Sequence, residues 1–179
     1  YFKFENSILM TKDNKKIITI FLIAITSNVL TIPEGVETLG ATGIIPVNNT
    51  ITKIELPASI TSLAPSTLIA CSALNEISVD VLNTKYKAVN GNLYSQDGKT
   101  LYLWVNKNTN SIVVPEGVEI IDQSAFSGFK NVINVTFPGT LKTIKAHVFN
   151  GCNKITSINI GKDVSSIHPL FTYGSGITE

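Results

Sequence analysis

The chain has 179 residues, of which 44% are hydrophobic and 15% are charged, so it suits one domain or one compact piece of a longer protein, and intrinsic disorder is excluded. All 14 basic residues are lysines, they nearly balance 13 acidic residues, and the net charge is +1. Proteins that bind nucleic acid usually carry a basic excess and use arginine to hold phosphates and read guanine. Nucleic acid is therefore not an expected partner.

The first apolar segment of the chain is residues 17–25, which follow Lys15 and Lys16. A basic start before an apolar run imitates a signal peptide. As a membrane-spanning helix the run is too short, because such a helix needs about 20 predominantly apolar residues and polar residues at 26–28 end this one. We expect no membrane span here and interpret the run as a buried strand of an insert described below.

A repeated unit sets the architecture. It is anchored on a proline or an equivalent glycine, and aliphatic residues stand three and six positions after every anchor. Successive anchors are 24, 58, 23 and 23 residues apart, and the 58 equals one unit of 23 plus an insertion of 35. The anchors are Pro33, Pro57, Pro115, Pro138 and Gly161; the residues three later are Val36, Ile60, Val118, Leu141 and Val164; those six later are Leu39, Leu63, Ile121, Ile144 and Ile167.

Apolar and polar residues alternate before the anchors, as in a half-buried strand, and the proline ends the strand because it donates no backbone hydrogen bond. A unit of about 23 residues cannot bury its own apolar stripe, so units stack as rungs and equivalent strands pair. The sequence therefore predicts a leucine-rich-repeat solenoid, mostly β with short turns or 3-10 segments, whose concave side is one parallel sheet. We expect the aliphatic pair after each anchor to point inward from a tight turn of helix-like backbone.

Two segments have the pattern of β-hairpin inserts. In the insert at about residues 81–111, Asp97-Gly98 supplies a two-residue turn in which positive φ is easily reached. Residues 1–28 carry a second copy, in which Asn14 replaces the glycine and also tolerates positive φ. We expect residues 1–179 to form a single solenoid. Because the chain starts inside one hairpin and ends after a partial rung, we also expect it to be a fragment of a longer array.

The repeat resembles a known family. The repeated unit is built on one succession of motifs: Ile-Pro or Leu-Pro, Val-x-x-Ile, Ala125-Phe126, the column of Cys71 and Cys152, and Leu-x-x-Ile. This succession is similar to the BspA-like (Treponema pallidum-type) leucine-rich repeat. The segment at 83–101 is similar to an extra hairpin often seen in those proteins. The resemblance implies a protein that is secreted or exposed at the cell surface and takes part in adhesion. Phe129 in place of cysteine and Gly161 in place of proline depart from the pattern of single rungs.

The residues that carry catalysis or bind metals elsewhere are isolated here. His147 and His168 occupy non-equivalent positions and have no cysteine or carboxylate at metal-ligand spacing. Cys71 and Cys152 share a column two rungs apart, which at about 4.8 Å per strand exceeds the limit of about 7 Å for a disulfide. We expect two buried thiols, no cofactor, no metal site and no enzymatic activity.

The remaining candidate is a surface. Side chains four and two positions before each anchor, and the equivalent Glu76 and Ser78 in the rung between Pro57 and the second insert, are predicted to point away from the core onto the concave face. We call them the outer strip. We expect the outer strip to bind a protein, from a host or from the extracellular matrix; the alternative is a structural spacer that binds no ligand itself. The candidate binding residues are Lys53, Glu55, Glu76, Ser78, Ser111, Val113, Asn134, Thr136, Ser157 and Asn159, and Val29 and Thr31 hold the same positions in the first strand.

Overall fold

The structure, a computed structural model, describes residues 2–5, 8–20, 27–40 and 44–177. The chain divides into two compact units, Tyr1–Gly91 and Asn92–Glu179, which we call unit 1 and unit 2. Within each unit, parallel strands of successive rungs pair at a repeat of about 23 residues, as in Ile121 opposite Ile144. The predicted solenoid of parallel rungs is confirmed. A single solenoid across residues 1–179 stays a prediction.

Unit 1 combines an antiparallel sheet with parallel ladders. Its strands are β1 (Phe2–Glu5), β2 (Ile8–Thr11), β3 (Ile17–Ile20), β4 (Val29–Thr31), β5 (Thr38–Leu39), β6 (Lys53–Leu56), β7 (Ser62–Leu63), β8 (Glu76–Val79) and β9 (Tyr86–Val89). Strands β1, β2 and β3 pair in antiparallel order, whereas β4, β6 and β8 form one parallel ladder and β5 and β7 form another. A 3-10 helix, Pro65–Ala70, follows β7 and buries Thr67 and Leu68.

Unit 2 repeats this plan with one hairpin and two parallel ladders. Its strands are β10 (Asn92–Ser95), β11 (Thr100–Leu103), β12 (Ser111–Val113), β13 (Ile120–Ile121), β14 (Asn134–Thr136), β15 (Thr143–Ile144) and β16 (Ser166–Ile167). Strands β10 and β11 form the antiparallel hairpin. Strand β12 pairs with β14, and β11, β13, β15 and β16 pair in parallel.

The backbone after each anchor differs from the predicted helix-like turn. After each of the five anchors the amide three positions later donates to the anchor carbonyl, for example Val36 N to Pro33 O at 3.3 Å, so the chain makes a β-turn. Gly35 sits inside that turn at φ 90°, which glycine adopts without strain. The second aliphatic residue then lies in a short parallel strand. Each unit therefore has two parallel ladders instead of one, because extended backbone in one rung pairs its N–H and C=O groups with the next.

Both predicted hairpins are present, with longer turns than expected. The Gly98 amide donates to Ser95 O at 2.8 Å and the Asn14 amide donates to Thr11 O at 2.9 Å, and both residues have positive φ, at 80° and 66°. The turns thus span four residues, and glycine or asparagine takes the left-handed position at the end. The register between β10 and β11 shifts next to Leu93, as hairpins with longer loops and a bulge do.

The hairpins are parts of rungs. Leu101 of β11 is opposite Ile121, in the same ladder as the equivalent strands of later rungs, and Lys16 makes a parallel bridge to Thr38. The apolar run at 17–25 is a strand from Ile17 to Ile20, with both of those side chains buried, and residues 21–25 lie outside the described residues. In the described parts of the chain we find no helix long and apolar enough to cross a membrane.

Most of the aliphatic columns form the core. Val36, Ile60, Val118 and Leu141 are buried, as are Leu39, Ile121 and Ile144. In unit 2 the rings of Phe126 and Phe149 stack with centroids 5.6 Å apart. The exceptions are Leu63, which is half-buried, and the last rung, in which Val164 is half-buried and Ile167 is 40% exposed.

Cys71 and Cys152 are buried thiols, and no disulfide joins them. The Cys152 thiol donates to Phe126 O at 3.0 Å. Burial raises the pKa of this thiol to about 11. The cysteines therefore pack as small apolar side chains, as predicted.

Candidate functional site

Strands β4, β6 and β8 hold the outer strip of unit 1 in register. Lys53 is opposite Val29 and Glu76, while Glu55 is opposite Thr31 and Ser78. Between these positions Ile54 and Ile77 are buried, so inward and outward side chains alternate along each strand. The structure thus brings the predicted residues of unit 1 together on one face of the ladder.

Charges on this face bond to one another. Lys53 Nζ lies 3.1 Å from Glu76 Oε1 and 3.2 Å from Glu55 Oε1, and the Thr31 hydroxyl donates to Glu55 Oε2 at 2.9 Å. Hydrogen bonds to Glu76 and then Glu55 raise the pKa of Lys53, whereas those from Thr31 and then Lys53 lower the pKa of Glu55. Glu55 and Lys53 therefore keep their charges over a wider pH range, and the lysine is shared between two carboxylates.

In unit 2 the outer strip is less charged. Ser111 is opposite Asn134 and Val113 is opposite Thr136, and all four side chains are exposed while the residues between them are buried. Val113 is 64% exposed, which makes it an apolar side chain within a polar face.

The structure corrects the expected strand around Ser157 and Asn159. Both residues are exposed, but they lie outside the strands, so the ladder that begins with β12 ends at β14. The two residues precede Gly161, which replaces the anchor proline and lacks the ring that would fix its backbone. Ile158 and Ile160 still pack against the core of unit 2. Ser157 and Asn159 are therefore not held at a strand register like the rest of the outer strip.

The sequence did not predict a groove at the end of the ladder formed by β4, β6 and β8. It has a volume of about 360 Å³, and Glu34 and Asp80 line it beside Glu55. The floor is apolar, with Ile32 and Leu56 exposed by no more than 3%. A signal was available, because Asp80 stands 23 residues after Pro57 and occupies the anchor position of the third rung.

Hydroxyl groups that join neighbouring rungs were also missed. Ser59 Oγ accepts from Gly35 N at 3.0 Å and donates to Val36 O at 2.9 Å. Thr140 Oγ1 accepts from Gly117 N at 3.0 Å and donates to Val118 O at 2.8 Å. Both hydroxyls stand two positions after an anchor proline, so the shared column would have identified them.

The histidines take local roles. His147 is half-buried, with its ring edge-on to Tyr173 at 5.3 Å, and His168 Nδ1 accepts from the Leu170 amide at 3.1 Å. Among the residues that the structure describes, we find no group of three or more His, Cys, Asp or Glu arranged to hold a metal ion.

The rungs, ladders and buried aliphatic columns define a leucine-rich-repeat protein. Residues 6–95 and 100–179 match the BspA type leucine rich repeat region in six copies. The chain therefore belongs to the BspA-type leucine-rich-repeat family, as its sequence pattern suggested. No curated protein matches it.

Solved structures share the fold. One similar structure is the pneumococcal vaccine antigen PcpA, with a TM-score of 0.62 and 18% identity over 74% of this chain and 33% of the antigen. Another is a leucine rich cell surface protein from Faecalibacterium prausnitzii, with a TM-score of 0.57 and 22% identity over 76% of this chain and 42% of that protein. The chain thus spans less than half of either protein.

Proposed function

We propose that this chain is a non-catalytic binding module, secreted or held at a cell surface, whose outer strip contacts a host or matrix protein. The observation that carries the proposal is the register of β6 with β8 in unit 1 and of β12 with β14 in unit 2, which within each unit aligns the side chains of successive rungs in a row. A row of this kind offers one side chain per rung at a spacing of about 4.8 Å. Solenoids commonly use such extended faces for binding.

Family membership supports the location. The chain belongs to the BspA-type family, and one protein with the same fold is described as a cell surface protein and another as a vaccine antigen. A module outside the cell would meet proteins of a host or a matrix. We carry this location to the present chain as part of the proposal.

A structural spacer is the second candidate. The observation that favours it is the internal pairing of Lys53 with Glu55 and Glu76, since these charges bond one another on the free face. The exposed side chains of unit 2 are mostly short and polar, which also suits a face that only meets water. In this alternative the chain sets the distance between other parts of a protein and binds nothing itself.

Solid-phase binding tests the proposal. The purified chain is applied to arrayed matrix proteins and to fixed epithelial cells, and its affinity is compared with those of Glu76→Ala and Asn134→Ala. The matched control is Lys130→Ala, an exposed residue outside the outer strip. We expect the two strip variants to bind at least about threefold more weakly, because truncation removes contacts with the partner; threefold corresponds to about 0.7 kcal/mol at about 1.4 kcal/mol per tenfold.

Thermal unfolding of every variant is measured in parallel. The proposal requires melting temperatures that match the wild type, so that weaker binding reports on the surface alone. Equal binding by strip and control variants, or no binding by the wild type to any arrayed surface, favours the spacer.

A further inference from the structure

An apolar tip stands beside the groove of unit 1. Val81 is 91% exposed and Leu82 is 76% exposed, and they directly follow Asp80, which lines the groove. Turn positions usually carry polar residues or glycine. Two large aliphatic side chains that point into solvent at one turn therefore call for an explanation beyond folding.

The turn that carries this tip is firmly held. Asp80 Oδ1 accepts from the Leu82 amide at 2.8 Å, and the Asn83 amide donates to Asp80 O at 3.0 Å. The buried Asn83 Nδ2 donates to Pro57 O at 3.0 Å and to Ile60 O at 2.9 Å in the preceding rung. Asn83 Oδ1 also accepts two backbone amides of residues 85 and 86, both at 2.8 Å. The apolar tip is thus presented by a fixed backbone, which lowers the entropy lost when a partner binds.

The groove next to the tip is negatively charged. Glu34, Glu55 and Asp80 come from three successive rungs, and none of the described residues that line the groove is basic. Lys53 lies outside the lining and pairs with Glu55 and with Glu76 on the same strand face, so Glu34 and Asp80 contribute most of the negative charge of the groove. The chain as a whole has a net charge of +1, so this acidic surface is a local feature.

Charge and shape complementarity define the partner. An apolar floor with a carboxylate rim fits a basic side chain whose aliphatic stem packs on the floor while its head meets the rim. The exposed aliphatic tip fits an apolar residue next to that basic one. Resting on the binding function proposed above, we propose that the groove and the Val81–Leu82 tip together receive a protein segment in which lysine or arginine stands next to aliphatic residues.

Selection from a phage-displayed library of random 12-residue peptides tests this proposal. We expect enriched peptides to combine Lys or Arg with Leu, Ile or Val, and to be synthesised and titrated against the purified chain by fluorescence anisotropy. Val81→Ser/Leu82→Ser is expected to weaken their binding about tenfold. Glu34→Gln/Asp80→Asn keeps an acceptor for the Leu82 amide and is expected to weaken binding about fivefold in 50 mM salt, and less in 300 mM salt.

Val47→Ser is the matched control, because Val47 is 90% exposed and lies outside the groove. Enriched peptides that are acidic, or that bind the groove and tip variants as tightly as the wild type, overturn the groove proposal. If those peptides instead lose affinity for Asn134→Ala, binding by the outer strip stands and only the groove is wrong. A selection that enriches no peptide counts against the groove and the binding function together.

Discussion

Ile144→Ala is expected to be among the most destabilising single changes in unit 2. Ile144 is fully buried and lies in register between Ile121 and Ile167. Truncation to alanine removes three carbons, worth about 2.4 kcal/mol at roughly 0.8 kcal/mol each. The cavity left behind between two rungs brings the expected loss of unfolding free energy to about 2–5 kcal/mol.

The same substitution at Ile167 is a control within the same column. Ile167 is 40% exposed, so only about three fifths of the transfer term applies, or about 1.4 kcal/mol, and water fills the space without a cavity. On the outer strip, Asn134→Ala and Ser157→Ala are expected to change stability by less than about 0.5 kcal/mol.

Urea unfolding followed by tryptophan fluorescence measures these differences. The chain has one tryptophan, Trp104, which packs against Phe126 in unit 2 with ring centroids 6.2 Å apart, so the signal reports on this unit. Because each rung contacts only its neighbours, hydrogen exchange in Ile144→Ala should accelerate first in the C-terminal rungs. If Asn134→Ala destabilises as much as Ile144→Ala, the assignment of inward and outward positions is wrong by one residue.

Four further predictions concern a hairpin turn, a contact between rungs, a buried thiol and a surface carboxylate. Gly98→Ala places a Cβ at φ 80° and should cost about 1 kcal/mol in urea unfolding. Thr140→Val keeps the volume but leaves the Gly117 amide without its hydroxyl acceptor, and should cost about 1 kcal/mol in the same assay. Cys152 should resist iodoacetamide at pH 8 in the native protein and react in 6 M urea, because its pKa is raised to about 11. Hydrogen bonds from Lys99 and then Lys142 lower the pKa of Glu119. Its contribution to stability is therefore complete above the ordinary pKa of 4.5 and is lost as the pH falls through the lowered pKa. Glu119→Gln should flatten the acid limb of the curve of unfolding free energy against pH.

Each of these predictions has a contradicting result. For the hairpin turn, the contradicting result is that Gly98→Ala is as stable as the wild type. Asn14→Gly is the comparison, since glycine should be tolerated at that equivalent position. For the hydroxyl of Thr140, the contradicting result is that Thr140→Ser, which keeps the hydroxyl, loses as much stability as Thr140→Val. For the thiol it is rapid native alkylation. For the carboxylate it is an unchanged acid limb, measured at low salt where exposed ion pairs are strongest.

The periodic features of the fold were predictable from the sequence because periodicity is a local pattern. The columns of Val118 and Ile121 and the hairpin around Gly98 follow from spacing alone, and the structure confirms them. The second parallel ladder was not predictable in this way, since a strand of two residues is too short to show alternation. It forms because rung stacking places extended backbone beside extended backbone.

The candidate surface was predictable only where strands impose alternation. The positions of Lys53 and Asn134 follow from the period of two along each strand, and the structure places both on the outward face. The groove residue Asp80 and the Val81–Leu82 tip lie in turns, where orientation depends on contacts such as those of Asn83 with the preceding rung. Such contacts join residues that are distant in sequence, so no local pattern predicts them.

The most direct test of the binding function is the attachment of beads coated with the chain to epithelial cells and to matrix proteins. A variant with alanine at Lys53, Glu55, Glu76, Asn134 and Thr136 is compared with one in which an equal number of exposed residues outside the outer strip are changed, both at wild-type melting temperature. We predict that attachment falls at least about tenfold in the strip variant and is unchanged in the other. Equal attachment by the two variants would contradict a binding role for the outer strip.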